Sequence, residues 1–393
     1  MNQISNNNIQ EETCTVEITA EEVAAVRNKL EEASFLPPRV YADAGIYEEE
    51  KKRIFRRTWL PVCHISQIAD PGNYFAKELF GESIVAVRGK DNEIRVMSNV
   101  CRHRNAALMQ GNGKCRGNRL TCPYHGWAYG LDGQLLATPH MDKIDHFSKT
   151  DIALPLIRHE IWEGFVFINF DENAPALGEQ LKTLTNIVRP YHFDKMKAIP
   201  VRRAHVCWNW KISLENFSEA YHQPFIHPTT ADRDFPAATS VYDDSDGPYS
   251  TFWIPHRNAE PTKTVVDPVP GMPDSYYSSF FVVNVYPLLH IFTDSATPLW
   301  LDWEMNDVND HVMVWYMLVP EDKVSDATVE QIKKDFLSFI EPIILEDVDV
   351  CNAVAAGVKS DLSRAGRLSH MEKAIHQFQN WWLDYYLPVC SIK

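Results

Sequence analysis

Two short segments of the chain, Cys101-Arg102-His103 and Cys122-Pro123-Tyr124-His125, each pair one thiol with one imidazole. Four thiolates make an ordinary iron–sulfur site, whereas two Cys on one iron and two His on the other make a Rieske [2Fe–2S] centre. If each segment supplies one Cys and one His, two short loops grip both irons together. Imidazoles carry less negative charge than thiolates, which raises the reduction potential and suits the centre to donating electrons in the middle of the biological range. A structural zinc site is the competing reading. Zinc modules usually pair Cys with Cys and His with His in closed tetrahedral sites, and the interleaved order here fits that poorly. The second segment runs on through Gly126 and Trp127 to Asp132-Gly133, a hairpin-turn signal.

A redox cluster alone only moves electrons, so a second site must set the chemistry. Downstream lies Glu215-Asn216-Phe217-Ser218-Glu219-Ala220-Tyr221-His222, with His227 five residues later. At helical pitch Glu219 and His222 share one face. His227 falls about 140° round an ideal helix from His222, but Pro224 and Pro228 distort or end a helix there and let His227 swing back. Two His and one carboxylate on one face of a metal leave positions open for dioxygen, the non-haem Fe(II) oxygenase pattern.

With both motif pairs in view, the chain resembles the catalytic α subunit of the Rieske non-haem iron oxygenases, the aromatic-ring-hydroxylating family, from Trp59 to the acidic stretch near Asp347. The resemblance implies Cys101, His103, Cys122 and His125 as cluster ligands and His222 and His227 as iron ligands. It implies a third iron ligand, an aspartate on a late helix, at Asp347. Glu346, Asp347 and Asp349 crowd within four residues and point different ways on a helix; spacing leaves the choice open, and the family pattern favours Asp347.

The resemblance also gives Glu219 a part of its own, bridging the first iron histidine to a cluster histidine, His125, of the neighbouring subunit. Many relatives use Asp there. Glu is shared with the branch acting on quaternary amines, such as choline and carnitine monooxygenases, and keeps a charge-assisted hydrogen bond available. The eighteen residues between the cluster pairs slightly exceed the usual gap, and Gly111-Asn112-Gly113 accommodates the excess as a turn.

The elements that must position these groups can be read more coarsely. At 393 residues the chain exceeds the size at which one core keeps growing, so two domains are expected. Thr19 and Glu22 form a capping box before an apolar-periodic run, and a second helix is expected around Ile46 to Arg57. Residues 59–170 read as short β runs with turns, including Ser83–Val87, Ile94–Met97 and Ile161–Phe170, and form the expected Rieske domain. It is inserted into a catalytic domain made of residues 1–58 and 171–393, with strands at Phe280–Tyr286 and Val312–Val319. Met371, Ile375, Phe378, Trp382 and Tyr385 make an amphipathic helix stopped by Pro388. The stretch Ala231–Pro273, rich in Pro, Asp and Ser, is expected to be a long loop region over the active site. The fold class is therefore α+β, an all-β Rieske domain inserted into a helix-grip-type domain with an antiparallel sheet, the last feature being implied by the resemblance.

A net charge of −15 argues against nucleic acid or an anionic membrane as partner. Two of the eight cysteines are claimed by the cluster and the other six show no paired spacing, which argues for a reducing compartment; the polar start Met1–Glu12 lacks a signal-peptide pattern, and a cytoplasmic protein is expected. No flavin or nicotinamide fingerprint appears, so electrons from NAD(P)H must come through a separate flavin- or ferredoxin-type reductase. The family relation implies a head-to-tail homotrimer, a heterologous interface closing after three subunits, that oxygenates a small molecule with O2. Glu219 and the aromatics point to a quaternary ammonium substrate, hydroxylated or oxidatively demethylated, because aromatic faces attract such cations. Candidate pocket residues are Phe217, Phe225, Trp253, Tyr286, Trp300 and Trp303; the alternative is that these rings are core. The competing substrate is a neutral aromatic or alicyclic ring, and the non-enzymatic alternative is a Rieske electron carrier.

Overall fold

The computed structural model describes residues 17–258 and 264–387. Met1–Glu12, Cys14, Pro388 and Cys390 lie outside them. Thr19 caps the first helix, Ala20–Arg27, through the expected box: its hydroxyl accepts from Glu22 N–H at 3.3 Å, and Glu22 accepts from Thr19 N–H at 2.9 Å. The second helix starts at Ala44, where the Asp43 side chain accepts two backbone N–H groups. Over Lys51–Phe55 it widens to five-residue hydrogen bonding, which keeps Ile46, Tyr47, Ile54 and Phe55 all facing inward.

Ten strands follow between residues 60 and 169: β1 (Leu60–His64), β2 (Asn73–Leu79), β3 (Glu82–Arg88), β4 (Ile94–Ser98), β5 (Asn112–Lys114), β6 (Arg119–Thr121), β7 (Ala128–Gly130), β8 (Leu135–Ala137), β9 (Leu156–Trp162) and β10 (Phe165–Asn169). Seven make one antiparallel sheet in the order β1-β10-β9-β4-β3-β2-β5, and β6-β7-β8 make a small second one. The expected single run Ile161–Phe170 is in fact the turn and second arm of a hairpin. Glu163 and Gly164 both take positive φ, 47° and 86°, which suits a two-residue turn closing Trp162 onto Phe165.

The remaining strands are β11 (Met196–Val206), β12 (Val241–Tyr242), β13 (Tyr249–Pro255), β14 (Ser279–Val285), β15 (Leu289–Thr293), β16 (Leu299–Asp307) and β17 (Asp310–Pro320). They form another antiparallel sheet in the order β11-β17-β16-β15-β14-β13-β12. The whole is α+β, as expected. Ala231–Pro273 is not one long loop: it contains a helical turn at Ala231–Asp234, then β12, then β13, whose seven residues all pair with β14. The Pro, Asp and Ser residues mark its turns, while Thr251-Phe252-Trp253-Ile254 carries the β-forming side chains.

Side chains alternate across this sheet, so its faces bury different sets. Leu299, Leu301, Trp303 and Met305 of β16 face a core shared with the helices Trp210–Asn216 and Lys373–Tyr386; Trp300 faces the other way, toward Leu177, Leu184 and Tyr191. The two large sheets are joined by a buried ion pair. Lys77 of β2 donates to Asp302 of β16 at 2.5 Å, and both side chains are almost fully buried.

Lys77→Met should therefore strand the Asp302 charge and cost about 3–5 kcal/mol in urea unfolding, and adding Asp302→Leu should restore most of it. Equal losses in the single and double variants would contradict this account of the joint.

Candidate metal centres

The two Cys/His segments fold into matching loops. Asn105 N–H donates to Cys101 C=O at 3.0 Å, and Gly126 N–H donates to Cys122 C=O at 3.1 Å, the same four-residue closure in each. Each closing residue has positive φ, 55° at Asn105 and 74° at Gly126, and these are the residue types that adopt such backbone readily. The Cys101 and Cys122 side chains point inward and are buried, whereas His103 and His125 are exposed, their ring centroids 4.7 Å apart. Trp127 stacks on His103 at 4.9 Å and 9° and holds that ring in place. Tyr129 Oη accepts from Arg102 N–H at 2.9 Å, which leaves its own proton for Cys101 Sγ at 3.4 Å.

This arrangement fits a [2Fe–2S] group with a thiolate end inside and an imidazole end outside. It fits one zinc ion poorly. Among the described residues, the set of donors gathered about a single point is His222, His227 and Asp347, and the four loop donors are not so gathered.

The second set stands where the loop after the helix Trp210–Asn216 meets the helix Glu341–Gly357. Asn209 caps the helix Trp210–Asn216 by accepting Lys211 N–H, and Lys211 pairs with Glu50 at 2.6 Å, both fully buried. Glu50 also accepts from Trp210 and Trp382 indole N–H groups, at 3.0 and 2.7 Å, so the second, site and closing helices share one buried carboxylate. Beyond Asn216 the chain leaves helical geometry. Ser218 Oγ donates back to Leu214 C=O at 2.6 Å and accepts from Asn284 of β14, and Ala220 N–H donates to Tyr242 of β12. The expected shared helical face of Glu219 and His222 is therefore a turn, because the helix ends at Asn216 and only a single new turn, Gln223–Ile226, follows. The contact survives the change: Glu219 accepts from His222 Nδ1 and, at 3.0 Å, from the His222 backbone N–H.

His227 lies beside His222, ring centroids 5.1 Å apart at 75°. Both Nε2 atoms face one carboxylate oxygen, Asp347 Oδ1, at 2.9 Å from His227 and 3.5 Å from His222. Glu346 turns away from that point to accept from His227 Nδ1 at 2.7 Å and from Thr230 Oγ1 at 2.9 Å, and Asp349 is exposed. Each imidazole thus has Nδ1 tied to a glutamate and Nε2 turned to the Asp347 oxygen, and an outer carboxylate on Nδ1 is the usual way a ligand tautomer is fixed. In the metal-free protein, burial works against charging either ring, but Glu219 and Asp347 at His222, and Asp347 and Glu346 at His227, outweigh it and hold both pKa values above the ordinary imidazole value. The three donors, one Asp and two His with buried or half-buried side chains, suit a divalent iron with positions left open.

The six candidate pocket aromatics do not come together. Trp300 and Trp303 occupy opposite sheet faces, Tyr286 packs on Phe378 and Trp381, and Trp253 stacks on Phe281. Phe225 is 79% exposed. Phe217 alone heads a row of rings beneath the His222 loop: Phe292 at 5.4 Å, Phe280 6.5 Å beyond it, and Phe235 5.5 Å further. All four are half-buried and pack against buried clusters that include Ala220 and Val282. Phe235, Phe280 and Phe292 carry no motif that distinguishes them from core residues in the sequence.

Comparison with known proteins agrees with this geometry. Residues 58–148 match the Rieske [2Fe-2S] domain and residues 193–387 match the ring hydroxylating alpha subunit catalytic domain. The carnitine monooxygenase oxygenase subunit of Acinetobacter baumannii is 36% identical over 203 residues, 50% of this chain and 53% of its own length. The glycine betaine monooxygenase oxygenase subunit of Chromohalobacter salexigens is 33% identical over 217 residues, 55% of this chain and 47% of its own. The matched stretches thus span about half the length of these curated relatives. A solved quaternary ammonium Rieske monooxygenase, studied for carnitine oxidation and inter-subunit electron transfer, superposes with a TM-score of 0.78 over 90% of this chain and 96% of its own at 26% identity. The chain belongs to the Rieske non-haem iron oxygenases, as a catalytic α subunit. Its cofactors are a Rieske [2Fe–2S] cluster and a mononuclear iron.

Asp347→Ala should lose the mononuclear iron while keeping the cluster absorption, and Asp349→Ala should keep both; the opposite pattern, read by metal analysis and visible spectra, would move the ligand assignment along the helix. Tyr129→Phe removes a hydrogen bond to Cys101 sulfur and should lower the cluster potential, because such bonds stabilise the reduced, more negative cluster. An unchanged potential in spectroelectrochemical titration would show that the Tyr129 proton points elsewhere.

Proposed function

We propose that this protein is the terminal oxygenase of a multicomponent system, hydroxylating or oxidatively demethylating a small quaternary ammonium compound. The observation that carries the reading is the pair of Nε2 atoms meeting one Asp347 oxygen, in a chain that also presents two Cys/His loops. Cys101, His103, Cys122 and His125 would hold the cluster, and His222, His227 and Asp347 the ferrous ion. When bound, the cluster supplies electrons singly and the ferrous ion supplies the place where dioxygen is activated. Glu219 and Glu346 keep the Nδ1 protons of His222 and His227 and so direct both Nε2 lone pairs inward. Phe217, Phe292 and Phe280 offer ring faces to a substrate cation and exclude water from the space beside the histidines.

The division into a Rieske domain at 59–170 and a catalytic domain made of 1–58 and 171–393 is part of this proposal. Packing of the helices Ala20–Arg27 and Lys51–Phe55 against Lys373–Tyr386 supports joining the two ends of the chain. Electrons come from NAD(P)H through a separate reductase, and three copies close head to tail so that His125 of one faces Glu219 of the next. The exposure of His103 and His125 supports a contact of that kind. No helix among the described residues is long and apolar enough to cross a membrane, and we place the protein in the cytoplasm.

Substrate-dependent oxygen uptake by the purified protein with a reducing system tests the reading. L-carnitine or glycine betaine should stimulate uptake where naphthalene does not; stimulation by naphthalene alone would favour a neutral ring substrate. Phe292→Ala should raise KM for the cation between about twofold and thirtyfold, the range of a lost cation–π contact of about 0.5–2 kcal/mol. Glu219→Gln should load both metals and accept electrons at the cluster, yet leave the reduced cluster unoxidised when substrate and oxygen are added. Loss of mononuclear iron, with normal reoxidation once it is restored, would make Glu219 only an orienting residue for His222.

A further inference from the structure

From Ile94 to Leu131 the chain has no Asp or Glu and six basic residues: Arg95, Arg102, Arg104, Lys114, Arg116 and Arg119. Elsewhere acids prevail, 53 against 38 Lys and Arg in the whole chain. Arg95 is paired with Asp91, and Arg104 lies against the ring and hydroxyl of Tyr124. The other four are exposed and, among the described residues, form no ion pair. Lys114 closes β5, the edge strand of the larger sheet of this half of the molecule. Arg116 sits on the turn that follows, and Arg119 opens β6, an edge strand of the small sheet, three residues before Cys122.

Charged side chains on edge strands discourage unwanted strand pairing, and that accounts for charge at these positions. It does not account for the one sign of the run, since either sign blunts an edge. In the fold two exposed carboxylates border the three cations, Asp70 in the turn before Asn73, which pairs with Lys114, and Asp132 two residues beyond Gly130, which pairs with Arg119. An excess of one sign near a redox centre focuses the local field and orients an incoming partner of the opposite sign. Within a Debye length of about 8–10 Å, the local charges outweigh the net charge of the whole molecule. A donor matched to the overall charge of −15 would be basic; a donor matched to this flank is acidic.

We propose that the flank formed by Lys114, Arg116 and Arg119 is the docking surface for an acidic one-electron iron–sulfur carrier that reduces the cluster. This rests on the oxygenase reading, in which the cluster takes its electrons from a separate protein. The carrier loses one electron and the cluster gains one, with no proton or bond exchanged. A plant-type [2Fe–2S] ferredoxin has a potential below the Rieske range, so the transfer runs downhill.

The test uses the full chain with its metals and an acidic plant-type ferredoxin as probe. Calorimetric Kd values are measured at low and physiological salt, and cluster reduction is followed by stopped flow with reduced ferredoxin and, separately, with the neutral reductant reduced deazariboflavin. Combined Lys114→Glu, Arg116→Glu and Arg119→Glu should weaken binding and slow reduction by ferredoxin at least about tenfold, abolish the salt dependence, and leave reduction by deazariboflavin and the oligomeric mass unchanged. The same charge change made as Lys182→Glu, Lys195→Glu and Lys197→Glu should alter neither by more than about twofold. Equal effects of the two triple variants would overturn the proposal. So would dissociation of the flank variant into smaller species, which would make this surface a contact between copies of the chain. If the protein showed no cluster absorption, the oxygenase reading would fail on that ground alone, while the calorimetry would still decide whether the flank binds the probe.

Discussion

The contact on which the site depends is the meeting of His222 Nε2 and His227 Nε2 at Asp347 Oδ1, between segments about 120 residues apart in sequence. A carboxylate buried to this degree is costly unless it is paired, and two converging imidazoles are costly to hold together unless something fixes their rings. Glu219 and Glu346 do the fixing from outside, one on each Nδ1. The constraint then passes outward. The loop bearing Glu219 is tied to Asn284 and Tyr242 of the catalytic sheet, and the helix before it is held to the second and closing helices through Glu50. Movement of any of these layers would be felt at the three donors.

The cluster loops solve a different problem. Their thiols are buried under Tyr129 and Trp127 while their imidazoles face solvent, so the redox group has a protected end and an exposed end. Exposure at the histidine end makes electron exchange with another surface possible without opening the loops. The Lys77–Asp302 pair sets the frame of these loops against the catalytic sheet, with both charges in a place where neither would stay alone.

Much of this was legible in the residues themselves. Cys and His at unequal spacing pointed to a mixed-ligand cluster because few other centres need that mixture. His222 and His227 were foreseen as neighbours because prolines distort or end a helix; in the structure Pro224 sits in the first turn of the short helix Gln223–Ile226, which stops before Pro228, and the two histidines flank that turn. Asp347 was not separable from Glu346 and Asp349 by spacing, since the choice depends on helix phase; family likeness favoured it, and in the structure it is the carboxylate that faces both Nε2 atoms. The contact of Glu219 with His222 was foreseen on a helix and occurs in a turn, because three residues in a closed turn bring side chains as near as three in a helix. The aromatic pocket was the least legible. Trp300 and Trp303 differ by an odd number of residues and so face opposite ways, and half-buried phenylalanines such as Phe280 and Phe292 look like core until the strands are in register. Likewise Ala231–Pro273 read as loop because its turn residues outnumber the short β run of β13 that pairs with β14.

Mössbauer spectroscopy of the protein loaded with iron-57 tests the central claim most directly, because it counts and distinguishes irons without requiring turnover. The account predicts about three irons per chain: two from an oxidised, spin-coupled cluster with unlike ligands, and one high-spin ferrous ion in a nitrogen and oxygen environment. A spectrum containing the cluster pair alone, in protein supplied with excess ferrous iron under anaerobic conditions, would contradict it and leave an electron carrier in place of an oxygenase.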